Sequence, residues 1–129
     1  MDTNIAVIVD IAAALAAGEL RGNIYLVDGN KSAGSKGEGT EGLQTAINVG
    51  DTITWSAWGL QVETKVRIES FSFPAGEVID VVRGGNAIAG YTWSGKVKKG
   101  FSGVYQYNLN LRVESRKMSL TTLPSLNVQ

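Results

Sequence analysis

Serine, lysine and carboxylate side chains carry whatever chemistry this 129-residue sequence can perform, because it contains neither histidine nor cysteine. Without histidine the chain lacks the commonest metal ligand and the usual general base near neutral pH. Without cysteine it can form no disulfide, thiolate–metal site, iron–sulfur cluster or thiol nucleophile. A nucleophilic serine needs a base beside it, and no Ser-x-x-Lys spacing occurs. Glu63, Glu69, Glu77 and Asp80 are available as the carboxyl pair of a glycoside hydrolase, but nothing in their context pairs any two of them. Composition therefore predicts a protein that is not an enzyme and needs no metal or cofactor. A carboxylate hydrolase is the remote alternative.

Several loop motifs copy ligand-binding signatures and fail on context. Gly37-Glu38-Gly39-Thr40-Glu41-Gly42 matches the dinucleotide fingerprint G-x-G-x-x-G letter for letter. That fingerprint joins a strand directly to a helix whose N-terminus meets pyrophosphate, whereas here a long loop precedes it, a strand pattern follows, and two glutamates would repel phosphate. Gly29 to Lys36 resembles a phosphate-binding loop but carries Ser35-Lys36 where Lys-Ser or Lys-Thr is required. Asp28, Asn30 and Ser32 alternate like the first ligands of a calcium loop, yet Ala33 replaces the turn glycine and Gly39 falls where the bidentate glutamate belongs. Asx-type turn hydrogen bonding is the simpler role for Asp28. Asn30-Lys31-Ser32 is a glycosylation sequon that matters only in an exported eukaryotic chain.

Aromatic residues give the remaining route to a ligand. Trp55, Trp58, Tyr91, Trp93, Tyr105 and Tyr107 are concentrated in three segments, and aromatic faces with polar rims grip sugars and peptides just as readily as they fill cores. Trp55 continues the face of Ile53 and reads as core. Trp58 stands near a strand end, between Ser56 and Gly59, and is open to either role. Trp93 reads as core ahead of platform, with Tyr91 on its face. Trp58, Trp93 and Tyr91 are the candidate ligand-binding residues.

These residues must be positioned by strands. Tyr105, Tyr107, Leu109, Leu111 and Val113 alternate with Gln106, Asn108, Asn110 and Arg112, the period-two signature of a half-buried strand. The same pattern, with β-branched and aromatic enrichment, predicts strands over Ile5–Asp10, Asn23–Val27, Leu43–Val49, Thr52–Trp58, Lys65–Phe73, Val78–Val82, Ile88–Val97 and Met118–Val128, with Pro124 bending the last. The apolar parity switches between Val66/Ile68 and Phe71/Phe73, which predicts a bulge near Glu69-Ser70. Asp28-Gly29-Asn30, Gly50-Asp51, Pro74-Ala75-Gly76, Gly84-Gly85-Asn86 and Lys99-Gly100 read as turns. One helical turn is predicted over Ile11–Ala17, capped by Asp10. The expectation is one all-β domain over residues 1–129, a two-sheet antiparallel β-sandwich of about eight to nine strands with one short N-terminal helical turn.

Charge and hydropathy set the partners. Twelve basic residues balance twelve acidic ones, so no long-range field attracts nucleic acid or anionic lipid. The apolar stretch from Ile5 to Ala17 imitates a secretory signal, but Asp2 replaces its basic start and Asp10 interrupts it. No run approaches the ~20 apolar residues of a membrane-spanning helix. These features predict a cytoplasmic chain without membrane insertion.

The ordered set Ile5-Ala6-Val7-Ile8-Val9-Asp10, Asn23-Ile24-Tyr25-Leu26-Val27, Gly50-Asp51-Thr52-Ile53-Thr54-Trp55, Val66 to Phe73, Tyr91-Thr92-Trp93 and Tyr105 to Leu111 resembles the bacterial AidA/PixA family across nearly the whole chain. The chain is shorter than many members and lacks their aromatic-rich segment before the C-terminal strand. Gly50 to Trp55 also resembles a strand of copper-binding sandwiches, whose histidine and cysteine ligands this chain does not have. The AidA/PixA resemblance implies a β-sandwich from a Gram-negative bacterium, expression under quorum or phase control, and in some members intracellular inclusions or release without a signal peptide. It implies no reaction and no catalytic residues. The function it suggests is a non-enzymatic accessory or interaction protein that self-associates through edge strands or an apolar sheet face. A lectin-like, glycan-binding sandwich using exposed aromatics, or one binding a protein ligand, is the alternative.

Overall fold

A computed structural model describes residues 2–61, 65–74, 76–86, 90–120 and 124–129. Apolar alternation becomes strand wherever one face can be buried. β1 (Asp2–Val9) buries Thr3, Ile5, Val7 and Val9 and turns Asn4, Ala6 and Ile8 outward. The helix α1 (Ile11–Ala17) follows at once: Asp10 caps it by accepting the Ala13 N–H at 3.2 Å, and Gly18 ends it in the left-handed region at φ 75°. Gln61 finishes the cap, its Oε1 accepting the Ile11 N–H at 2.8 Å while its Nε2 donates to Asp10. Ile11 and Ala14 then face the core. No helix among the described residues is long and apolar enough to cross a membrane.

The remaining strands are β2 (Ile24–Asp28), β3 (Gln44–Ile47), β4 (Thr52–Gly59), β5 (Val66–Ser72), β6 (Val82–Asn86), β7 (Gly90–Lys96), β8 (Gly103–Gln106), β9 (Asn108–Val113), β10 (Arg116–Leu120) and β11 (Ser125–Val128). The fold is all-β with one small helix, and its sheets do not close into a barrel. β2-β1-β4-β7-β6 form a five-stranded sheet, β10-β9-β5 and β3-β11-β8 two three-stranded ones. β8 and β9 are one run broken only at Tyr107, whose N–H donates to Pro124 O. The two small sheets thus meet end to end and together back the five-stranded sheet. Trp55 on β4 packs against Phe71 on β5 and against Tyr107, with ring centroids at 4.7 and 5.7 Å. One apolar cluster joins all three sheets, from Ile5 and Leu26 through Trp55 to Leu109 and Leu126.

The described residues form eleven strands in three sheets, against the expected eight to nine strands in two, because the Phe101–Val113 run is broken at Tyr107 and so divides between two sheets. Three further details depart from the expected arrangement. β1–β4 and β3–β11 pair in parallel, not antiparallel. These partners are remote in sequence, so no hairpin turn sets their direction. Val78–Val82 is not a strand: Val78 and Ile79 are buried, but the segment makes only a bridge from Ile79 to Val97. The strand begins at Val82 and includes Gly84-Gly85-Asn86, which pair with Thr92, Tyr91 and Gly90 instead of turning. Glycines fit there because β6 is an edge strand with little side-chain packing to lose. The bulge in β5 falls where the parity switch puts it, between Ile68 and Ser70 in the pairing with β9.

Candidate functional site

The two outer faces of the molecule differ in chemistry. On the outer side of β5-β9-β10, polar side chains satisfy one another: Asn110 Nδ2 donates to Ser70 Oγ at 2.9 Å, Ser119 Oγ to Asn110 Oδ1 at 2.8 Å, and Asn108 Nδ2 to Ser72 Oγ at 2.9 Å. Arg112 and Glu69 add an ion pair at 3.3 Å. A shallow depression of about 370 Å³ lies over this face, lined by Glu69, Ser70, Asn110, Lys117, Met118 and Ser119. Ser70, Asn110 and Ser119 of this lining are already hydrogen-bonded to one another, and Glu69 is paired with Arg112.

The outer side of the five-stranded sheet is apolar at one end. Register places Tyr25 of β2 opposite Ile8 of β1, and Ile8 opposite Trp58 of β4, so three outward side chains form one row across three strands. The next row is Val27, Ala6 and Ser56, with Thr92 beyond it. Strands lie about 4.8 Å apart, so Tyr25 and Trp58 stand roughly 10 Å apart with Ile8 between them. Trp58 is 60% exposed, Leu60 beyond it 54%, and Tyr25 and Val27 38% each. Trp58 Nε1 donates to Ser56 Oγ at 2.9 Å, which fixes the indole on the sheet with its polar atom already partnered. Trp58, Tyr25 and the half-buried Ile8 thus make the apolar part of this face continuous across three strands.

Of the three residues expected to bind a ligand, Trp58 lies on this face and Trp93 does not join it. Trp93 pairs with Trp55 in the β4–β7 register and shares its inward parity. Its Nε1 donates to Ile68 O at 2.9 Å across the two layers, and its ring meets Phe71 edge-on at 5.7 Å. Tyr91 sits on β7 opposite Gly85, with its side chain outside the described residues. Tyr25 and Ile8 of that row, and Val27 in the row beside it, are the members of the face that aromatic concentration alone missed. Parity within each strand marks them as outward, but only the pairing of β2, β1 and β4 aligns them.

The acidic residues are placed as follows. Asp80 pairs with Lys98 at 2.9 Å and Glu69 with Arg112. Glu77 and Asp80 edge a shallow hollow with Phe71, Phe73 and Ile79, and Glu63 lies outside the described residues. The calcium-like loop is an Asx turn: Asp28 Oδ1 accepts the Asn30 N–H at 2.9 Å, while Asn30 Nδ2 donates to Thr3 Oγ1 and Ala46 O. The Gly37–Gly42 segment carries Glu38 back onto Asp28, whose N–H it accepts at 2.9 Å. Among the described residues no three acids cluster as metal ligands.

The sequence matches the profile of a domain of unknown function, DUF8788, over residues 1–119. No curated protein matches it. Among solved structures, the crystal structure of the inclusion body protein PixA from Burkholderia cenocepacia is similar, with a TM-score of 0.70, covering 99% of this chain and 91% of that one at 13% identity. At that identity the likeness is one of fold.

Proposed function

We propose that this chain, which belongs to the DUF8788 family of domains of unknown function, is a non-enzymatic protein that works by associating with copies of itself through the open face of its five-stranded sheet. The row Tyr25–Ile8–Trp58 carries this reading. A two-fold axis over Ile8 sets Trp58 of one copy against Tyr25 of the other, so a single surface serves both partners. The formal net charge of zero removes the long-range repulsion that keeps many proteins apart. The fold shared with a protein described as an inclusion body protein points the same way. The rival contact, edge-to-edge pairing through β2, is opposed by the loop bridge from Thr40 to Leu26 that already occupies that edge. Light scattering across a concentration series tests the reading: mass should rise above 13.7 kDa, and a strict monomer at high concentration would end it. The AidA/PixA assignment, with quorum- or phase-controlled expression and cytoplasmic inclusions, belongs to the same proposal and is tested by following the protein against cell density.

A glycan-binding reading draws on the same row. With its N–H held by Ser56, Trp58 offers a π-face beside hydroxyl-bearing Ser56 and Thr92, the combination on which a sugar ring stacks. Tryptophan fluorescence against a diverse glycan panel tests it, and no response to any sugar would count against it.

A further inference from the structure

Away from the open face, the outer edge of β2 carries a pair of acids that the association does not use. An edge strand presents unpaired backbone groups, and here the glycine-rich loop consumes them one by one. Gly39 N–H donates to Leu26 O at 2.8 Å, Leu26 N–H donates to Thr40 O at 3.2 Å, and Glu38 Oε1 accepts the Asp28 N–H at 2.9 Å. Glu38 thereby completes a surrogate strand with its side chain. Its other oxygen, Oε2, and Asp28 Oδ2 are both buried, and neither has a hydrogen-bond partner. Asp28 itself is only 8% exposed. Two adjacent carboxylates whose inner oxygens are shut off from water repel, and one proton held between them satisfies both orphan oxygens.

We propose that a single proton shared by Asp28 and Glu38 latches the 37–40 loop over the edge of β2, and that rising pH releases this guard. The surroundings fix where the proton resides. Burial and the neighbouring Asp28 carboxyl push Glu38 above its ordinary value, outweighing the Asp28 N–H and Lys31, which both favour its ionised form. Burial alone would raise Asp28 too, but the Glu38 carboxyl, the nearby Thr45 hydroxyl, the Asn30 N–H held by Oδ1 and the Ser35 hydroxyl together outweigh it and hold Asp28 below its ordinary value. Tyr107, the other titratable group that feels Asp28, is pushed by burial far above the working range and stays neutral. Glu38 is therefore the acid and Asp28 the carboxylate. On release the proton leaves to solvent, the two negative charges separate, and the Glu38 side chain gives up the Asp28 N–H. A divalent cation would need about six to eight oxygen ligands, and among the described residues no third acid stands beside the pair.

Residue-resolved NMR on the intact chain tests the latch. Carboxyl titration should place Glu38 above and Asp28 below their ordinary values. Amide exchange, corrected for its intrinsic pH dependence, should show protection at Leu26, Asp28 and Gly39 falling at least about fivefold as pH rises through the Glu38 midpoint, while Val7 in the centre of β1 stays unchanged. Glu38→Gln keeps the acceptor for the Asp28 N–H and supplies a permanent donor to Asp28 Oδ2, so its guard should hold at every pH. Val7 protection in that variant confirms folding. An ordinary Glu38 midpoint, protection flat with pH in the unaltered chain, or a pH step that survives in Glu38→Gln would overturn the proposal. So would a shift of the Asp28 and Glu38 signals on adding calcium chloride at neutral pH, which would make the pair a cation site.

Discussion

Replacing Trp58 by serine separates the open face from the fold. The side chain is 60% exposed in the single chain, and an aromatic side chain offers about 150–250 Å² for burial. Association can therefore remove roughly 90–150 Å² of indole from water in each copy. At about 25 cal/mol per Å² this amounts to roughly 2–4 kcal/mol per indole, or about 40- to 500-fold in the dissociation constant at 1.4 kcal/mol per tenfold. In a two-fold dimer both copies lose it, so the weakening should lie at or above the upper figure. Folding stability should change by less than about 0.5 kcal/mol, because the residue packs on an exposed sheet face and its one hydrogen bond, to Ser56, is solvent-accessible. Sedimentation velocity over a concentration series reads the first quantity and urea unfolding the second. Equal association constants for the variant and the unaltered chain, with unfolding unchanged, would refute the reasoning, since the largest exposed apolar group would then contribute nothing.

Other consequences follow from the interior. Tyr107→Phe keeps the ring contacts but removes the hydroxyl that accepts the buried Trp55 N–H at 3.3 Å, and should cost about 1–3 kcal/mol in urea unfolding; Trp55→Phe should then cost less in that background than in the unaltered chain. At Gly95 an added Cβ would run into the backbone carbonyl of Asp80 and crowd the Ile79 side chain; Gly95→Ala should therefore lose about 1–3 kcal/mol or fail to fold, read by thermal unfolding. Stability against pH should show a maximum in the acidic range. The raised Glu38 value contributes stability that is complete below its unfolded value and lost as pH rises through its folded one. The depressed Asp28 value contributes stability that is present above its unfolded value and lost as pH falls through its folded one. Unfolding free energies collected across pH should fall on both sides of that window in the unaltered chain, and the alkaline-side fall should shrink in Glu38→Gln.

Local chemistry made several elements legible. Asp10 before an alanine-rich run marked the helix start, the parity switch at Glu69-Ser70 marked the bulge, and Leu109, Leu111 and Val113 marked the inner face of β9. Each of these depends on neighbours within a few residues. What depends on distant partners was hidden. Thr52 pairs with Asp2 and Ser125 with Gln44, and nothing local to either strand states it. Gly84-Gly85 resembled a turn because glycine is usual in turns, whereas here it lies in an edge strand beside β7. The candidate residues show the same division. Within β4, the alternation of Ile53 and Trp55 against Thr54, Ser56 and Trp58 puts Trp58 on the face opposite Trp55. That Tyr25 and Ile8 complete its row follows only from the register of three strands. The Asp28–Glu38 contact needs a loop to fold back across ten positions, which no spacing rule announces.

The central claim is that the Tyr25–Ile8–Trp58 row is where copies of the chain meet. Hydroxyl-radical footprinting of the chain at dilute and high concentration, read by mass spectrometry at single residues, tests it directly. The account predicts that oxidation of Trp58 and Tyr25 falls together as concentration rises, while Trp93, already packed between the layers, keeps a constant rate. Oxidation of Trp58 that stays the same while the mass of the particle grows would contradict it.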